Sequence, residues 1–319
     1  MSVAKIRAAI VKQGLPKDWS SVSDRYGLWV SGRILVPFLS AFILAPHLVQ
    51  SSPWWAVPIV LVMGVYGYKI SFILHDCSHN ALFAKQSVNL WVGRVCGWLV
   101  GVNYDAFRQT HLLHHRYNGQ GLDPQHGEVN GFGGAPRSKL LRHLLTPLLG
   151  TRAPEILLGY GGGDLEADSE AHQSIMDRVG DVGARTRLLW LGGTLAAQLV
   201  LAALVTNFGT VLWTLFLYPL AAVTVSLFLA RMRTFAEHAR PEGVETLDFT
   251  RSHRPNWVDA ALLYDAHFNY HLEHHLFPQL PSNRLPDLYE RFGSQYHSEQ
   301  TVSPSMFGTV FRRVLDARA

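Results

Sequence analysis

The chain has 319 residues; 48% are hydrophobic and only 16% are Asp, Glu, Lys or Arg. That charged share is well below the roughly 25% usual for a soluble domain, so the placement of the apolar residues decides the class. The net charge of +4 is already complete within residues 1–33, and no Arg/Lys patch with interleaved aromatics follows, which argues against a nucleic-acid binder. Two cysteines, Cys77 and Cys96, give no disulfide framework.

Residues 1–30 form a polar leading segment. Within it, AKIRAAIVKQGL reads equally as a short surface helix turned to anionic head groups or as an unstructured tail. The first apolar run is about 33–49 and contains Pro37 and Pro46. The second is about 54–74, with Trp54 and Trp55 at its start and Lys69 near its end, where the ammonium can snorkel to the surface. A shorter run at 88–104, broken by Arg94 and three glycines, reads as an interfacial or re-entrant helix, and LRHLLTPLLG at 141–150 as surface-lying. GYGGGDLEADSE at 159–170 reads as a polar loop. Two further apolar runs cover about 188–208 and 211–230.

A helix needs about 20 residues to cross a bilayer core. The connections at 50–55 and 207–210 hold no Lys or Arg, whereas nearly all the basic residues lie in 1–33, 85–187 and 231–319. That is the positive-inside pattern of two helical hairpins. The expected fold is therefore an all-α integral membrane protein with four transmembrane helices and a single domain over 1–319. Segments 1–30, 75–187 and 231–319 lie on the cytoplasmic side, in a histidine-rich helical cap. No cleaved signal peptide, internal repeat or second soluble domain is expected.

Of 16 histidines, nine fall in three short stretches. His75 and His79, in HDCSH, share one helical face at the end of the second apolar run. His111, His114 and His115, in HLLHH, form an i, i+3, i+4 set, and His271, His274 and His275, in HLEHH, repeat it. His267 extends the last stripe by one turn. A lone histidine is most simply a hydrogen-bonded residue, but three clusters beside hydrocarbon demand a purpose. Without a thiolate set, iron–sulfur and Cys-zinc sites fit poorly, and haem needs only one or two such residues. Eight or nine nitrogens suit two ions of intermediate softness such as iron; zinc also fits the donors alone.

HDCSH at 75–79, HLLHH at 111–115 and HLEHH at 271–275 resemble, in order and topology, the three histidine boxes of the membrane fatty acid desaturase and hydroxylase superfamily. HLEHHLFPQLP at 271–281 and Asp123–Pro124 are similar to its bacterial acyl-lipid desaturase-like branch. The resemblance covers about residues 30–290. It implies eight box ligands matching His75, His79, His111, His114, His115, His271, His274 and His275, and a further ligand that RMRTFAEH places at His238. His267 is a weaker ligand candidate or a donor that orients a box imidazole. Asp76, Asp123, Glu237, Asp265 and Glu273 are candidates to orient the imidazoles. Arg231 and Arg233 could hold an acidic head group or a carboxylate, or anchor the helix end. His253, with no partner at helical spacing, is expected to be uninvolved.

The resemblance further implies O2-dependent desaturation of a fatty acyl or related lipid chain, two iron ions, O2 as co-substrate and two external electrons. The 319 residues show no haem, flavin or cysteine-cluster signature, so ferredoxin or a similar small carrier is the expected donor. A bacterial inner (cytoplasmic) membrane is the expected location. Hydroxylation, carotenoid ketolation and terminal-alkene formation within the superfamily are alternatives that the spacings do not separate. A membrane zinc hydrolase or a metal transporter is a further rival, although transport would need polar residues at mid-membrane depth.

Overall fold

Apolar residues about four apart build the first long helix. Val30, Ile34, Phe38, Phe42 and Ala45 are buried along one stripe, while Leu28, Val36, Ile43 and Leu44 are exposed on the others. Exposed apolar side chains on a helix of this length belong against lipid. The computed structural model describes residues 3–125, 132, 134–150, 184–203, 216–240, 249–298 and 301–317. Its helices are α1 (Val3–Gln13), α2 (Asp24–Ser51), α3 (Ala56–Ser78), α4 (Gln86–Val100), α5 (Tyr104–Tyr117), α6 (Arg137–Leu145) and α7 (Ala184–Ala203), then α8 (Phe216–His238), α9 (Trp257–Leu262), α10 (His271–Leu276), α11 (Leu285–Phe292) and α12 (Met306–Asp316).

Among the described residues, three helices are long and apolar enough to cross a membrane: α2, α3 with its leading turn from Pro53, and α8. They contain the expected runs at 33–49 and 54–74 and the described part of 211–230. The run at 188–208 begins in α7, whose apolar stretch is Leu188–Leu201; the turn expected around 207–210 and the loop at 159–170 lie outside the described residues. Ser23 caps α2 by accepting from the Tyr26 N–H. Trp54 and Trp55 are exposed at the α2–α3 turn, as expected of interfacial rings.

α3 packs between α2 and α8. A Cβ on Gly64 would come within 2.4 Å of Val225, so only glycine lets the two backbones approach. Opposite it, α8 widens into a π-helical turn at Ala222–Ser226, and Ser226 Oγ donates to the Gly64 carbonyl at 2.7 Å. Such turns relocate the residues beyond them, and here those residues lead to His238, the last residue of α8.

Two expectations change. Lys69 does not snorkel outward. It is buried and pairs with Asp265 at 3.5 Å, and Asp265 also takes Arg33 at 3.3 Å, because the segment before the third box folds back onto α3. The leading segment is the helix α1, and its apolar face does not lie on lipid. Ile6 and Ile10 are buried in a second core with Leu272, Leu276, Phe277, Leu288 and Phe292, while Lys5, Arg7 and Lys12 are exposed. A two-residue parallel ladder, β1 (Ser252–His253) on β2 (Val302–Ser303), ties the chain's end to the same cap.

Gly64→Ala should lower stability in detergent by about 1–3 kcal/mol through overpacking, read as a fall in thermal midpoint. Gly32→Ala, where an added Cβ meets nothing within 4 Å, should leave the midpoint unchanged or raise it.

Candidate metal centre

Each histidine reaches the centre from a helix end. His75 lies in the last turn of α3 and His79 caps it. α5 starts at the Asn103 cap, which accepts from Ala106 N–H at 3.3 Å, and carries HLLHH in its final turns. α8 ends on His238. α10 begins on His271 itself, directly after a turn in which Ala266 and His267 have φ of 48° and 65°.

The ring nitrogens form two groups. His75, His79, His111, His115 and His274 each offer a nitrogen within 4.8 Å of all the others, as do His114, His238 and His275. His271 adjoins the second group, its Nε2 at 2.7 Å from Nε2 of His238. The HxxHH spacing makes this division. At 3.6 residues per turn, His111 and His115 are about 40° apart and share one group, whereas His114, about 100° from His115, turns to the other. His274 and His275 are divided in the same way.

Nε2 of His111 is 2.9 Å from Nε2 of His79 and 3.2 Å from that of His115, which is 3.0 Å from Nε2 of His274. With metal–nitrogen bonds of about 2.1 Å, ligands at right angles around one ion lie about 3.0 Å apart. These separations are therefore better read as edges of a coordination polyhedron than as hydrogen bonds.

Neighbouring groups fix the ring tautomers. His75 Nδ1 is 3.1 Å from Asp76, which also accepts from Ser282 Oγ at 2.7 Å. His114 Nδ1 is 2.9 Å from Asp123. Backbone N–H groups of Gly119 and Gln125 donate to Asp123 at 2.7 and 2.8 Å. Burial alone would raise the Asp123 carboxyl, but His114 and these donors together hold it below the usual carboxylate range. His275 Nδ1 is 3.5 Å from the Asn118 amide, whose Oδ1 is unpartnered; turning that amide over lets Oδ1 accept from both the imidazole and Thr250. With Nδ1 held as the donor, Nε2 is the free lone pair. Nε2 of His75, His114 and His275 is indeed buried with no hydrogen-bond partner.

Burial, then Arg108 and His114, pushes His79 down to about 3. Burial and neighbouring imidazoles push His111, His115, His271, His274 and His275 well below the ordinary value. Ring nitrogens gathered in two adjoining sets, with Nε2 of His75, His114 and His275 buried and unpartnered, fit metal ions.

The remaining expected residues divide. Glu237 lies 3.5 Å from His271 Nε2 and is held by Arg233 at 3.0 and 2.9 Å; the guanidinium itself lies over Phe72 and Phe268. Arg231 contacts His143. Three expectations are corrected. His267 is exposed in the left-handed turn, because α10 does not extend back to it. Asp265 serves Lys69 and Arg33. Glu273 points away from the box and accepts from Ser252 Oγ at 2.5 Å and Tyr296 OH at 2.9 Å, fastening α10 to the cap. His253 is buried, with both ring nitrogens unpartnered and burial driving it down to about 3, and it joins neither nitrogen group. Ser282 and Asn118 carry no local sequence signal; they reach the site only through the fold.

The sequence profile of the fatty acid desaturase family matches residues 52–302. The chain belongs to the fatty acid desaturase family. It is similar to the sphingolipid delta(4)-desaturase/C4-monooxygenase of Bos taurus, 28% identical over 86% of this chain and 76% of the relative. The Mus musculus protein of that name is 27% identical over 84% and 74%. The sphingolipid delta(4)-desaturase of Drosophila melanogaster is 23% identical over 90% and 81%. This family member is a non-haem diiron membrane oxidoreductase with O2-dependent, desaturase/hydroxylase-type activity on lipid at a histidine-coordinated centre.

His238→Ala should lose or weaken one of the two ions, and Asp123→Ala should weaken metal affinity or activity by about 10–100-fold by freeing the His114 ring. Iron content by elemental analysis, read beside turnover, checks both; a fully loaded, fully active His238→Ala protein would remove His238 from the ligand set.

Proposed function

We propose that this desaturase introduces a double bond into the long-chain base of a sphingolipid, with hydroxylation of the same segment as a branch of the reaction. Two irons serve it, one within reach of His75, His79, His111, His115 and His274, the other of His114, His238, His271 and His275. The observation that carries the proposal is this five-plus-four division of imidazoles at helix ends. The relatives support the substrate class. The balance is one –CH2–CH2– unit, one O2, two external electrons and two protons giving one –CH=CH– unit and two waters.

When bound, the irons supply O2 reduction and the oxidising power to remove hydrogen from an unactivated methylene. The protein supplies placement. Asp76, Asp123 and the Asn118 amide hold three rings by Nδ1 so that Nε2 faces inward. Arg233 neutralises the Glu237 carboxylate beside His271. Phe268, with its centroid 4.7 Å from that of His75, and Phe107, stacked on His111 at 5.5 Å, line the imidazoles with apolar surface that keeps water out.

The electrons come from a ferredoxin-type or comparable small carrier. The chain crosses the membrane four times, with both ends and the centre cytoplasmic, a reading supported by the Lys- and Arg-free turns. A second reading, acyl-lipid desaturation, is favoured by the HLEHHLFPQLP stretch.

Expression in a host with a suitable electron donor, followed by mass-spectrometric lipid profiling, separates these readings. New unsaturated or hydroxylated sphingolipids, with two irons per purified chain, are the expected result. Unsaturation confined to glycerolipid acyl chains would favour the second reading, and zinc without iron would overturn both.

A further inference from the structure

α6 and the 3-10 turn that follows it, Thr146–Leu149, pack against α8. We propose that they form a wedge sunk into the bilayer on the metal side, and that the wedge binds an anionic phospholipid. Its acyl chains lie along Leu141, Leu145 and Leu148, and its phosphate lies at Lys139 and Arg142.

The wedge is apolar on two sides. Leu140, Leu144 and Pro147 are buried, at i, i+4 and i+7. Leu141, Leu145 and Leu148, one residue on from each, are exposed. A helix on an aqueous surface carries polar residues away from its buried stripe. Here the charged residues, Arg137, Lys139 and Arg142, end within the first two turns. Beyond Arg142 the polar side chains turn back to the protein. His143 Nδ1 is 3.1 Å from the Arg231 guanidinium on α8, and the Thr146 hydroxyl donates to the Arg142 carbonyl. A hydroxyl bonded to its own helix needs no water.

α3 and α8 supply a ruler for depth. Gly64 lies nine residues after Trp55, which is exposed at the far interface, and eleven before His75. At 1.5 Å per residue it is about 14 Å from one and about 16 Å from the other, which is the middle of α3. Val225 of α8 packs on Gly64. Gly150, which closes the 3-10 turn at φ 67°, sits beside the two residues before Val225: a Cβ on it would come within 3.9 Å of Val223 and 4.0 Å of Thr224. The turn therefore reaches mid-span depth. Leu149, directly before Gly150, is 76% exposed, and a leucine open at that depth faces hydrocarbon.

The other end of α6 stays at head-group level. Arg137 donates to the carbonyls of Val314 and Leu315 at 3.1 and 2.8 Å. That joins α6 to α12, on which Phe311 and Leu315 are exposed one turn apart. Such a helix lies in the interface plane with its apolar side in lipid. Lys139 and Arg142, three residues apart and both exposed, are neighbours on the helix surface, and α6 carries no acidic residue. A phosphate there meets positive charge, and the chains below it meet the three leucines. An anionic phospholipid has these parts in this order. A zwitterionic head would bring its own cation against Arg142, and a soluble anion would leave the leucines unmatched. The lipid is seated beside a metal-bearing helix, since Arg231 and Phe235, which meet His143 and Phe132, share the stripe of α8 that ends on His238.

The test uses the full-length, iron-loaded protein in nanodiscs. Cys77 and Cys96 are buried, so a nitroxide reagent goes to an introduced thiol. A label on Leu149→Cys is expected to be relaxed by O2, which concentrates in hydrocarbon, and shielded from a water-soluble nickel chelate; a label on Ser138→Cys is expected to be reached by the chelate. Native mass spectrometry then compares phosphatidylglycerol with phosphatidylcholine. Wild type is expected to bind the former more tightly. Arg142→Gln is expected to weaken phosphatidylglycerol about fivefold and Lys139→Gln/Arg142→Gln about 25-fold, with iron content and phosphatidylcholine binding unchanged. Equal nickel access at 149 and 138 would overturn the wedge. Equal binding of the two lipids by wild type, a comparison that needs no variant, would overturn the lipid site, as would unchanged phosphatidylglycerol affinity in both variants.

Discussion

Imidazoles whose N–H groups are already given to other partners cannot satisfy one another. Each ring has one donor and one acceptor. Once Asp76 and Asp123 have taken the donors of His75 and His114, only lone pairs remain to face inward. Lone pairs gathered within 4.8 Å in a dry interior need a cation, and the surrounding fold serves that need. The α3 and α5 ends, the last residue of α8 and the six-residue α10 each deliver imidazoles to one small volume. Gly64 and the π-helical turn facing it set how α3 and α8 meet on the way there.

The burial that makes the imidazoles good ligands also constrains every other charge nearby. Arg233 and Glu237 share the interior as a pair. Lys69 and Asp265 do the same, with Arg33 reaching in from the rim. Unpaired, any of these ions would be costly at this depth. Their pairing keeps the field around the two nitrogen groups close to neutral, so that an arriving cation meets lone pairs rather than fixed positive charge.

Much of the centre was legible in the sequence because helical periodicity is local. HxxHH places rings on adjoining faces wherever it forms a helix, and HDCSH falls where an apolar run stops. His238 was legible through the family resemblance and not through spacing. What could not be read were contacts made across long sequence separations. Ser282 reaches Asp76 across 206 residues, and Tyr296 with Ser252 claims Glu273. His267 misled because its spacing is helical while its backbone is left-handed. Lys69 misled because snorkelling presumes open water above the residue, and the fold puts Asp265 there. The amphipathic α1 had the composition of a lipid-facing helix but found its apolar partner in Leu272 and Leu276 of the protein's own cap.

The division of each HxxHH box between two nitrogen groups also imposes an order of assembly. Four of the five rings in the first group come from the first two boxes and are complete once residue 115 has been made. The second group then has only His114; His238, His271 and His275 follow more than 120 residues later. At about 5–20 residues per second, the nascent chain waits roughly 6–25 s with one group nearly whole and the other a single ring. The two halves of the centre are therefore unequal from synthesis onward. One is a local product of the first membrane hairpin and its neighbouring helix; the other closes only when the last third of the chain folds back over it, with α1 packed against α10 from the far end.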